Sequence, residues 1–104
     1  MDVHEAARLL EAGEAVALDV REPSEWRHGR IPGALHVPMS ELAARSSLLP
    51  HDRAIVAVCR SGNRSGQVTE ALQRQGYRIE NLEGGLKAWR RAGLPLDPPH
   101  SRVA

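Results

Sequence analysis

Short apolar runs alternate with segments of helical periodicity along the chain, and this alternation restricts the fold more than any other feature of the sequence. The runs AVALDV, residues 15–20, and AIVAV, residues 54–58, are continuous apart from Asp19, which is typical of strands covered on both faces. After the second run, apolar residues recur at helical spacing until Gly76. Strands that alternate with helices form parallel sheets. The sequence therefore predicts an α/β fold with a small, mostly parallel β-sheet flanked by helices on both faces.

The remaining segments fit the same pattern. An opening helix is predicted over VHEAARLLEAG, with Asp2 as its N-cap, Glu5 as the capping-box partner and Gly13 at its end. Two further strands are predicted in ALHVP, which ends at Pro38, and in YRIENL. Short helices are predicted in SELAARSSLL, capped by Ser40, and in GGLKAWRRAG.

Size, charge and cysteine content limit the classes of function. The chain has 104 residues and is predicted to form one domain over 1–104, in which 95–104 is an extended or frayed tail. Its net charge of +1 gives no overall field that would attract nucleic acid or a membrane surface, so neither is expected as a partner. The single cysteine excludes an internal disulfide, a CxxC redox pair and a multi-thiolate metal site.

Location and cofactors are predicted from features that the sequence lacks. The N-terminus has neither the basic segment nor the apolar run of a signal peptide, and no stretch reaches membrane-spanning length, so a cytoplasmic protein is expected. The five histidines show no metal-ligand spacing, so no metal and no cofactor are expected. No segment resembles an interface stripe, and a monomer is expected.

The cysteine stands at the end of a predicted strand and directly before a polar loop. In VAVCRSGNRSG the strand residues lead into Cys59, and a helix is predicted to begin near Arg64 or Ser65. A strand, a tight loop and a helix start in this order direct backbone N–H groups inward, toward an anion. The reactive form of cysteine is the thiolate, and an ordinary thiol, with a pKa of ~8.5, is mostly protonated at neutral pH. The sequence therefore predicts a lowered pKa for Cys59 and a pocket for a small anion.

The residues around the cysteine support this interpretation but leave another one open. Gly62 and Asn63 tolerate the left-handed backbone that such a loop needs, and Arg60 and Arg64 add fixed positive charge at its rim. In the alternative interpretation, Cys59 is a small hydrophobic residue that ends a core strand, and the two arginines are solvated surface charges.

Three motifs of the chain resemble those of single-domain rhodaneses, in the thiosulfate sulfurtransferase family. They are CRSGNRS at residues 59–65, LDVREPSEWRHGRIPGALHVP at 18–38 and LEGGLKAWRRAGLPL at 82–96. Their order and separations match the family, and together they extend over nearly the whole chain. The resemblance implies a rhodanese-like fold in which Cys59 accepts sulfane sulfur from thiosulfate or a related small anionic donor. The Cys59 persulfide is then implied to pass this sulfur to cyanide or to a thiol, with thioredoxin and glutathione as candidate acceptors.

The resemblance also implies roles for other residues. The outer sulfur of the persulfide would be held by the backbone N–H groups of Arg60, Ser61, Gly62, Asn63, Arg64 and Ser65. Arg60 and Arg64 would attract the anionic donor, because a guanidinium fork matches its oxygens. Asp19 and Arg21 match the D-x-R of the family, and with Glu25 they are expected to form a charged network near the strand ends. Whether that network is catalytic or structural stays open.

Other residues of the three motifs are expected to be structural. Gly84 and Gly85 are expected to allow a tight turn and a close helix approach, and the two tryptophans, Trp26 and Trp89, to pack rather than bind a ligand. The chain departs from the family at Arg30, where a histidine is common. The short strand that often precedes the opening helix is reduced here to residues 1–3 at most.

Three other functions compete with the sulfurtransferase. Cysteine-dependent phosphatases carry C-x5-R, which would place arginine where this chain has Ser65, whereas Arg64 comes one residue early. The shorter loop predicts a bowl fitted to sulfur rather than to phosphate. A non-catalytic rhodanese-like regulatory or binding module is disfavoured by the intact loop around Cys59. A dedicated persulfide carrier needs the same Cys59 persulfide, so the sequence does not separate it from an enzyme.

Overall fold

The computed structural model describes residues 1–103, in which four strands alternate with five α-helices. In chain order these are α1 (Val3–Glu11), β1 (Ala15–Asp19), α2 (Pro23–His28), β2 (Leu35–His36), α3 (Leu42–Arg45), β3 (Ala54–Val58), α4 (Asn63–Arg74), β4 (Ile79–Asn81) and α5 (Gly85–Arg91). Two short 3-10 turns, Met39–Glu41 and Ser46–Leu48, flank α3. No helix within residues 1–103 has the length and apolar character needed to cross a bilayer. The alternation predicted from the sequence is confirmed.

The strands form one parallel sheet in the order β2-β1-β3-β4. The central pair is β1 and β3, with Ala15 opposite Ala54 and Asp19 opposite Val58. The outer strands are shorter: β2 pairs with the carboxyl end of β1, and β4 pairs with the middle of β3. Because all the strands run in one direction, their carboxyl ends meet at a single edge of the sheet, which is where α/β proteins bind ligands. Cys59 follows β3 at this edge.

Helices cover both faces of the sheet, as predicted. Successive side chains of a strand point to opposite faces, and β3 follows this rule. Ile55 and Ala57 belong to a core cluster on the face covered by α3 and α4, which includes Leu42, Val68 and Leu72. Val56 and Val58 belong to a second cluster on the face covered by α1 and α5, which includes Ala6, Leu86 and Trp89. The central strands are therefore buried from both sides, which explains their continuous apolar sequence.

Hydrogen bonds hold the first two residues of the chain, one set to α1 and one set to the region of β4. Asp2 caps α1 as predicted, since its Oδ1 accepts the N–H of Glu5 at 2.9 Å. The amino group of Met1 donates to the carbonyl of Asn81 at 3.1 Å, and the Met1 carbonyl accepts the N–H of Glu83 at 2.9 Å. The short strand that often precedes the opening helix is thus reduced, as expected, to the backbone pairing of Met1 beside β4.

Ser40 does not cap a helix, which corrects the sequence prediction. It lies inside the 3-10 turn that begins at Met39, and no side chain caps that turn. The Met39 N–H donates to the carbonyl of Val20 at 3.0 Å. The chain therefore stays extended beside β1 until Pro38 and turns there, before Ser40 is reached.

The first residues of the segment after α5 pack against the domain, where the sequence predicts an extended or frayed tail. The indole N–H of Trp89 donates to the carbonyl of Pro95 at 2.7 Å, and Leu96 is buried in the α1–α5 cluster with 9% of its surface exposed. Asp97 forms an antiparallel bridge with Arg30 through backbone hydrogen bonds of 2.8 and 3.0 Å. The sequence prediction overlooked that Leu96 has apolar surface to bury. The end of the expected tail, Ala104, lies outside the described residues.

Candidate active site

Cys59 lies at the carboxyl edge of the sheet and is almost fully buried, with 1% of its surface exposed. After it the chain turns sharply, and α4 begins at Asn63, slightly earlier than predicted. Gly62 precedes the helix with φ of 101°, a left-handed conformation that glycine adopts without steric cost. We call residues 59–65 the cysteine loop.

Three hydrogen-bond donors converge on the sulfur of Cys59. The N–H of Gly62 lies 3.1 Å from Sγ, the N–H of Ser65 lies 3.4 Å away and the Ser65 hydroxyl lies 3.2 Å away. Burial raises the pKa of the Cys59 thiol, but hydrogen bonds from the Ser65 hydroxyl and from the N–H groups of Ser65, Gly62 and Ser61 lower it by more. The pKa of Cys59 is therefore lowered overall, as the sequence predicts. A cysteine that served only to fill the core would need no such donors.

The amino end of α5 holds the backbone of the cysteine loop in this orientation. The N–H of Leu86 donates to the carbonyl of Cys59 at 2.9 Å, and the N–H of Lys87 donates to the carbonyl of Arg60 at 3.1 Å. A Cβ atom at Gly85 would lie 2.5 Å from both carbonyl oxygens, and φ at this residue is +60°. The predicted close helix approach is confirmed, and only glycine fits there. Because both carbonyls are hydrogen-bonded to α5, the loop backbone keeps an orientation in which its N–H groups face the sulfur.

Asn81 is a part of the site that the sequence analysis missed. Its Oδ1 lies 2.5 Å from the Ser65 hydroxyl oxygen, so Oδ1 and Sγ share the single proton of that hydroxyl, and its Nδ2 donates to the carbonyl of Gly62 at 2.9 Å. The amide thus fixes Gly62 and Ser65, which both donate to Cys59. The signal in the sequence was a polar residue near the end of YRIENL, since a strand beside β3 ends at the same edge of the sheet.

A buried ion pair supports the neighbouring strand end. The guanidinium of Arg21 donates to both carboxylate oxygens of Asp19, at 3.0 Å from Nε and 2.7 Å from Nη2, and the two side chains are 0% and 1% exposed. Arg21 also donates to the backbone carbonyls of Gly29 and Glu25, at 2.7 and 3.3 Å. The predicted network is present, and it ties the loop around α2 to the sheet.

Glu25 joins the network through two different groups. Its backbone carbonyl contacts Arg21, whereas its carboxylate binds Arg64 in two hydrogen bonds of 2.6 and 2.9 Å. The Arg64 hydrogen bond lowers the pKa of Glu25, and Glu25 in turn raises the pKa of Arg64. Arg64 therefore ties the first turn of α4 to α2. Arg60 is exposed and belongs to none of the ion pairs among residues 1–103.

The aromatic residues of the motifs pack, as predicted. The Trp26 ring stacks on His36 with centroids 4.4 Å apart, and the Arg30 guanidinium lies 4.8 Å from the Trp26 centroid. Arg30, which replaces the common histidine, also donates to the Trp26 carbonyl at 3.0 and 3.2 Å and pairs with Asp97 at 3.4 Å. Trp89 is 2% exposed in the core. Arg30 thus connects α2 to the segment after α5.

Within residues 1–103 no three histidine, cysteine, aspartate or glutamate side chains are grouped so that they could hold a metal ion. The chemistry that the described residues offer is that of one buried, hydrogen-bonded sulfur at the edge of a parallel sheet.

Comparison with known proteins identifies the domain. Residues 2–92 match the family described as Rhodanese-like domain. The chain is 45% identical over 93 residues to a protein named Sulfurtransferase from Allochromatium vinosum, with 88% of this chain and 87% of that protein covered. It is 40% identical over 95 residues to an HTH-type transcriptional regulator from Mycobacterium tuberculosis, with 89% of this chain but 42% of the regulator covered.

A solved structure agrees with the sequence relatives. The crystal structure of a rhodanese-related protein from Thermoplasma volcanium superposes with a TM-score of 0.87 at 31% identity, covering 92% of this chain and 94% of that chain. Its fold matches the parallel sheet and the flanking helices described above. By sequence and by fold, the chain belongs to the rhodanese-like domain family.

Proposed function

We propose that the protein is a sulfurtransferase in which Cys59 carries sulfur as a persulfide. The observation that carries the proposal is the convergence of the Gly62 N–H, the Ser65 N–H and the Ser65 hydroxyl on Sγ, at 3.1, 3.4 and 3.2 Å. Donors arranged in this way stabilise a thiolate nucleophile and the negative charge of the persulfide that it forms. Similarity to the relative named Sulfurtransferase supports the same chemistry.

The first half of the reaction loads the cysteine with sulfur. The Cys59 thiolate attacks the outer sulfur of thiosulfate or of a related donor. A bond forms between Sγ and that sulfur, the S–S bond of thiosulfate breaks, and the electron pair leaves on sulfite. Atoms and charge balance without an oxidant or a reductant, and the N–H groups of the cysteine loop are assigned to the outer sulfur.

The second half unloads the cysteine. Cyanide or a thiolate attacks the outer sulfur, a C–S or S–S bond forms, and the electron pair of the broken Sγ–S bond returns to Cys59. Since the chain has one cysteine, no internal disulfide discharges the persulfide, and an outside acceptor is required. Ping-pong kinetics follow from the covalent intermediate.

The charged residues are assigned different roles. Arg60 is exposed, so we assign it to the attraction of the anionic donor. The Arg64 guanidinium binds Glu25, so we assign it to holding the cysteine loop in place rather than to the donor. A cytoplasmic, monomeric enzyme with thioredoxin or glutathione as acceptor remains part of the proposal, on the sequence features given above.

The test measures the intact mass of the protein after incubation with thiosulfate. The mass is expected to rise by one sulfur atom and to return to its starting value after cyanide is added. The Cys59→Ala variant is the control and is expected to show neither change. A wild-type protein that stays unmodified with thiosulfate, 3-mercaptopyruvate and glutathione persulfide would overturn the proposal.

A second candidate is a regulatory module that does not turn over, and the similarity to the transcriptional regulator favours it. Such a module would accept sulfur at Cys59 but release it slowly to every acceptor. Steady-state rates with cyanide and thioredoxin separate the two functions, because an enzyme regenerates its thiolate many times whereas a module reacts once.

A further inference from the structure

A second feature of the molecule, of which the proposed chemistry uses only Arg60, lies beside the cysteine loop. It is a cleft of about 730 Å³ between α5 and the segment that follows it. Its walls carry Arg60, three side chains of α5, namely Lys87, Arg90 and Arg91, and residues of segment 93–103. We call it the basic cleft. Its volume lies in the range of sites that hold drug-sized ligands, far more than thiosulfate needs.

Among residues 1–103, those that line the basic cleft bring charge of one sign only, because none of them is acidic. Within residues 1–103 its four permanent cations, Arg60, Lys87, Arg90 and Arg91, form neither ion pairs nor side-chain hydrogen bonds with other residues. The whole chain has a net charge of only +1, so this cluster is a local excess. Like charges in one cleft repel each other, and a ligand with more than one negative charge relieves that repulsion.

Helix stability explains only part of this cluster. Arg90 and Arg91 lie in the last turn of α5, where the helix dipole stabilises cations whether or not a ligand binds. Lys87 lies in the first turn, where the dipole disfavours a cation. The Lys87 N–H also donates to the carbonyl of Arg60 at 3.1 Å, which fixes this end of the cleft next to Cys59. The cations of the cleft therefore begin at Arg60, the residue that follows Cys59 in the cysteine loop, and continue along α5.

We propose that the basic cleft binds the anionic part of a small thiol whose sulfur exchanges with Cys59. The inference rests on the proposed sulfurtransferase function and specifies its acceptor. From Lys87 to Arg91 the helix rises about 6 Å, at roughly 1.5 Å per residue. The ligand therefore carries its negative charge several atoms from its sulfur, and the apolar side chains of Leu94 and Pro99 in the wall suit an aliphatic spacer. A thiol joined by such a spacer to a phosphate-like dianion has this chemistry.

The exchange step needs no further reactant. The thiolate of the ligand attacks the outer sulfur of the Cys59 persulfide and forms a new S–S bond. The bond between Sγ and that sulfur breaks, its electron pair stays on Cys59, and the outer sulfur leaves on the ligand with its negative charge. The same step in reverse loads Cys59 from a persulfide of the ligand.

Two thiols with the same six-carbon spacer, one ending in a dianion and the other in a neutral hydroxyl, test the proposal: 6-mercaptohexylphosphonate and 6-mercaptohexanol. The protein is loaded with sulfur from thiosulfate, and the loss of the persulfide is followed by intact mass at equal thiolate concentrations and low ionic strength. The phosphonate is expected to react roughly tenfold faster, since each partly exposed ion pair adds up to a few-fold. Added salt is expected to reduce this ratio toward one.

Matched variants locate the effect. One variant replaces the cations of α5 by glutamine: Lys87→Gln, Arg90→Gln and Arg91→Gln. It is expected to reduce the ratio of the two rates to about one while the rate with 6-mercaptohexanol stays unchanged. The control removes the same charge from exposed positions outside the cleft: Arg8→Gln, Arg74→Gln and Arg78→Gln. The control is expected to keep most of the preference for the phosphonate.

Equal rates for the two thiols in the wild-type protein would overturn the inference, and so would a ratio that survives in the α5 variant. Both results leave the sulfurtransferase proposal in place, because the persulfide still forms and is discharged. A Cys59 that takes up no sulfur at all is a different result, which overturns the sulfurtransferase proposal and this inference with it.

Discussion

The charged residues beside the sheet edge and those of the basic cleft are arranged in opposite ways. At the sheet edge, Asp19 binds Arg21 and Glu25 binds Arg64, each through two carboxylate oxygens. In the cleft, the cations of α5 line one wall, and the lining residues that the structure describes include no carboxylate. The two regions meet at the contact between α5 and the cysteine loop, where the backbone N–H of Lys87 donates to the Arg60 carbonyl.

This difference separates charges that hold the site from charges that are available to a ligand. A guanidinium that is paired with a carboxylate fixes the position of backbone groups, and it offers little to a substrate because its donors are occupied. An exposed, unpaired cation contributes little to stability, and it raises the local concentration of anions. By this criterion we propose Arg21 and Arg64 as positioning residues, and Arg60 and the cations of α5 as binding residues.

Replacing one arginine from each region tests the contrast most strongly. Arg21→Met leaves the Asp19 carboxylate, which is 1% exposed, without its guanidinium, and is expected to cost about 3–5 kcal/mol in the free energy of unfolding. Arg90→Gln removes an exposed, unpaired cation and is expected to change that free energy by no more than about 0.5 kcal/mol. Urea unfolding of both variants measures the difference.

A second pair of variants keeps this test informative if Arg21→Met does not fold. Arg21→Lys retains the charge but loses the planar fork, so its stability is expected to lie between those of Arg21→Met and the wild type. Asp19→Asn with Arg21→Met removes both charges and is expected to recover part of the loss. Equal, small effects at positions 21 and 90 would contradict the contrast.

The fold was predictable because its determinants are local. The apolar runs of β1 and β3, the helical spacing of α4 and the glycines that end helices are each contained in a dozen residues. The same holds for the core of the site, since Cys59, Gly62 and Ser65 lie within one turn and its following helix. Local order of strand, loop and helix was enough to predict inward N–H groups and a lowered thiol pKa.

The features that the sequence did not reveal depend on partners far apart in the chain. Arg64 and Glu25 are 39 residues apart, and the spacing of charges does not say that they meet rather than face a donor. Asp97 meets Arg30 across 67 residues, which is why the segment after α5 resembled a tail. Asn81 reaches Ser65 only because β4 pairs with β3. Such contacts follow from the packing of the elements, which local pattern does not specify.

Gly85 lies where α5, which lines the basic cleft, contacts the cysteine loop, and its replacement tests how far the loop depends on α5. Gly85→Ala places a methyl group 2.5 Å from the carbonyl oxygens of Cys59 and Arg60 at a residue with φ of +60°. It is expected to cost about 2–4 kcal/mol in unfolding free energy and to slow persulfide formation, because the carbonyls must move and the N–H groups move with them.

Gly93→Ala is the matched control for this variant. Gly93 has φ of +73°, and a Cβ atom there would meet nothing within 4 Å. It is expected to cost only about 1 kcal/mol, from the left-handed backbone alone, and to leave the rate of persulfide formation unchanged. Two variants with the same loss of stability and the same activity would show that α5 does not hold the cysteine loop.

The smallest expected effect concerns the hydroxyl of Ser65. The Ser65→Ala variant loses one donor to Sγ, so the pKa of Cys59 is expected to rise, and the pH midpoint of alkylation by iodoacetamide is expected to rise with it. The loss of stability is about 1 kcal/mol. Thr69→Val is the control, because the Thr69 hydroxyl donates to the Ser65 carbonyl at 2.8 Å and not to the sulfur. Its alkylation midpoint is expected to stay at the wild-type value.

The Cys59 thiol also makes the stability of the fold depend on pH, and its lowered pKa determines the direction of that dependence. The pKa of Cys59 is lower in the folded protein than the value of ~8.5 for an unfolded chain, so ionisation of the thiol stabilises the fold. This stabilisation is complete above the unfolded pKa and is lost as the pH falls through the folded pKa. Relative to Cys59→Ser, the unfolding free energy of the wild type is therefore expected to rise with pH across that interval, and less so in Ser65→Ala. If the difference in unfolding free energy between the wild type and Cys59→Ser does not change with pH, the donors around Sγ favour the thiol as much as the thiolate. Cys59 would then behave like a cysteine at an ordinary core position.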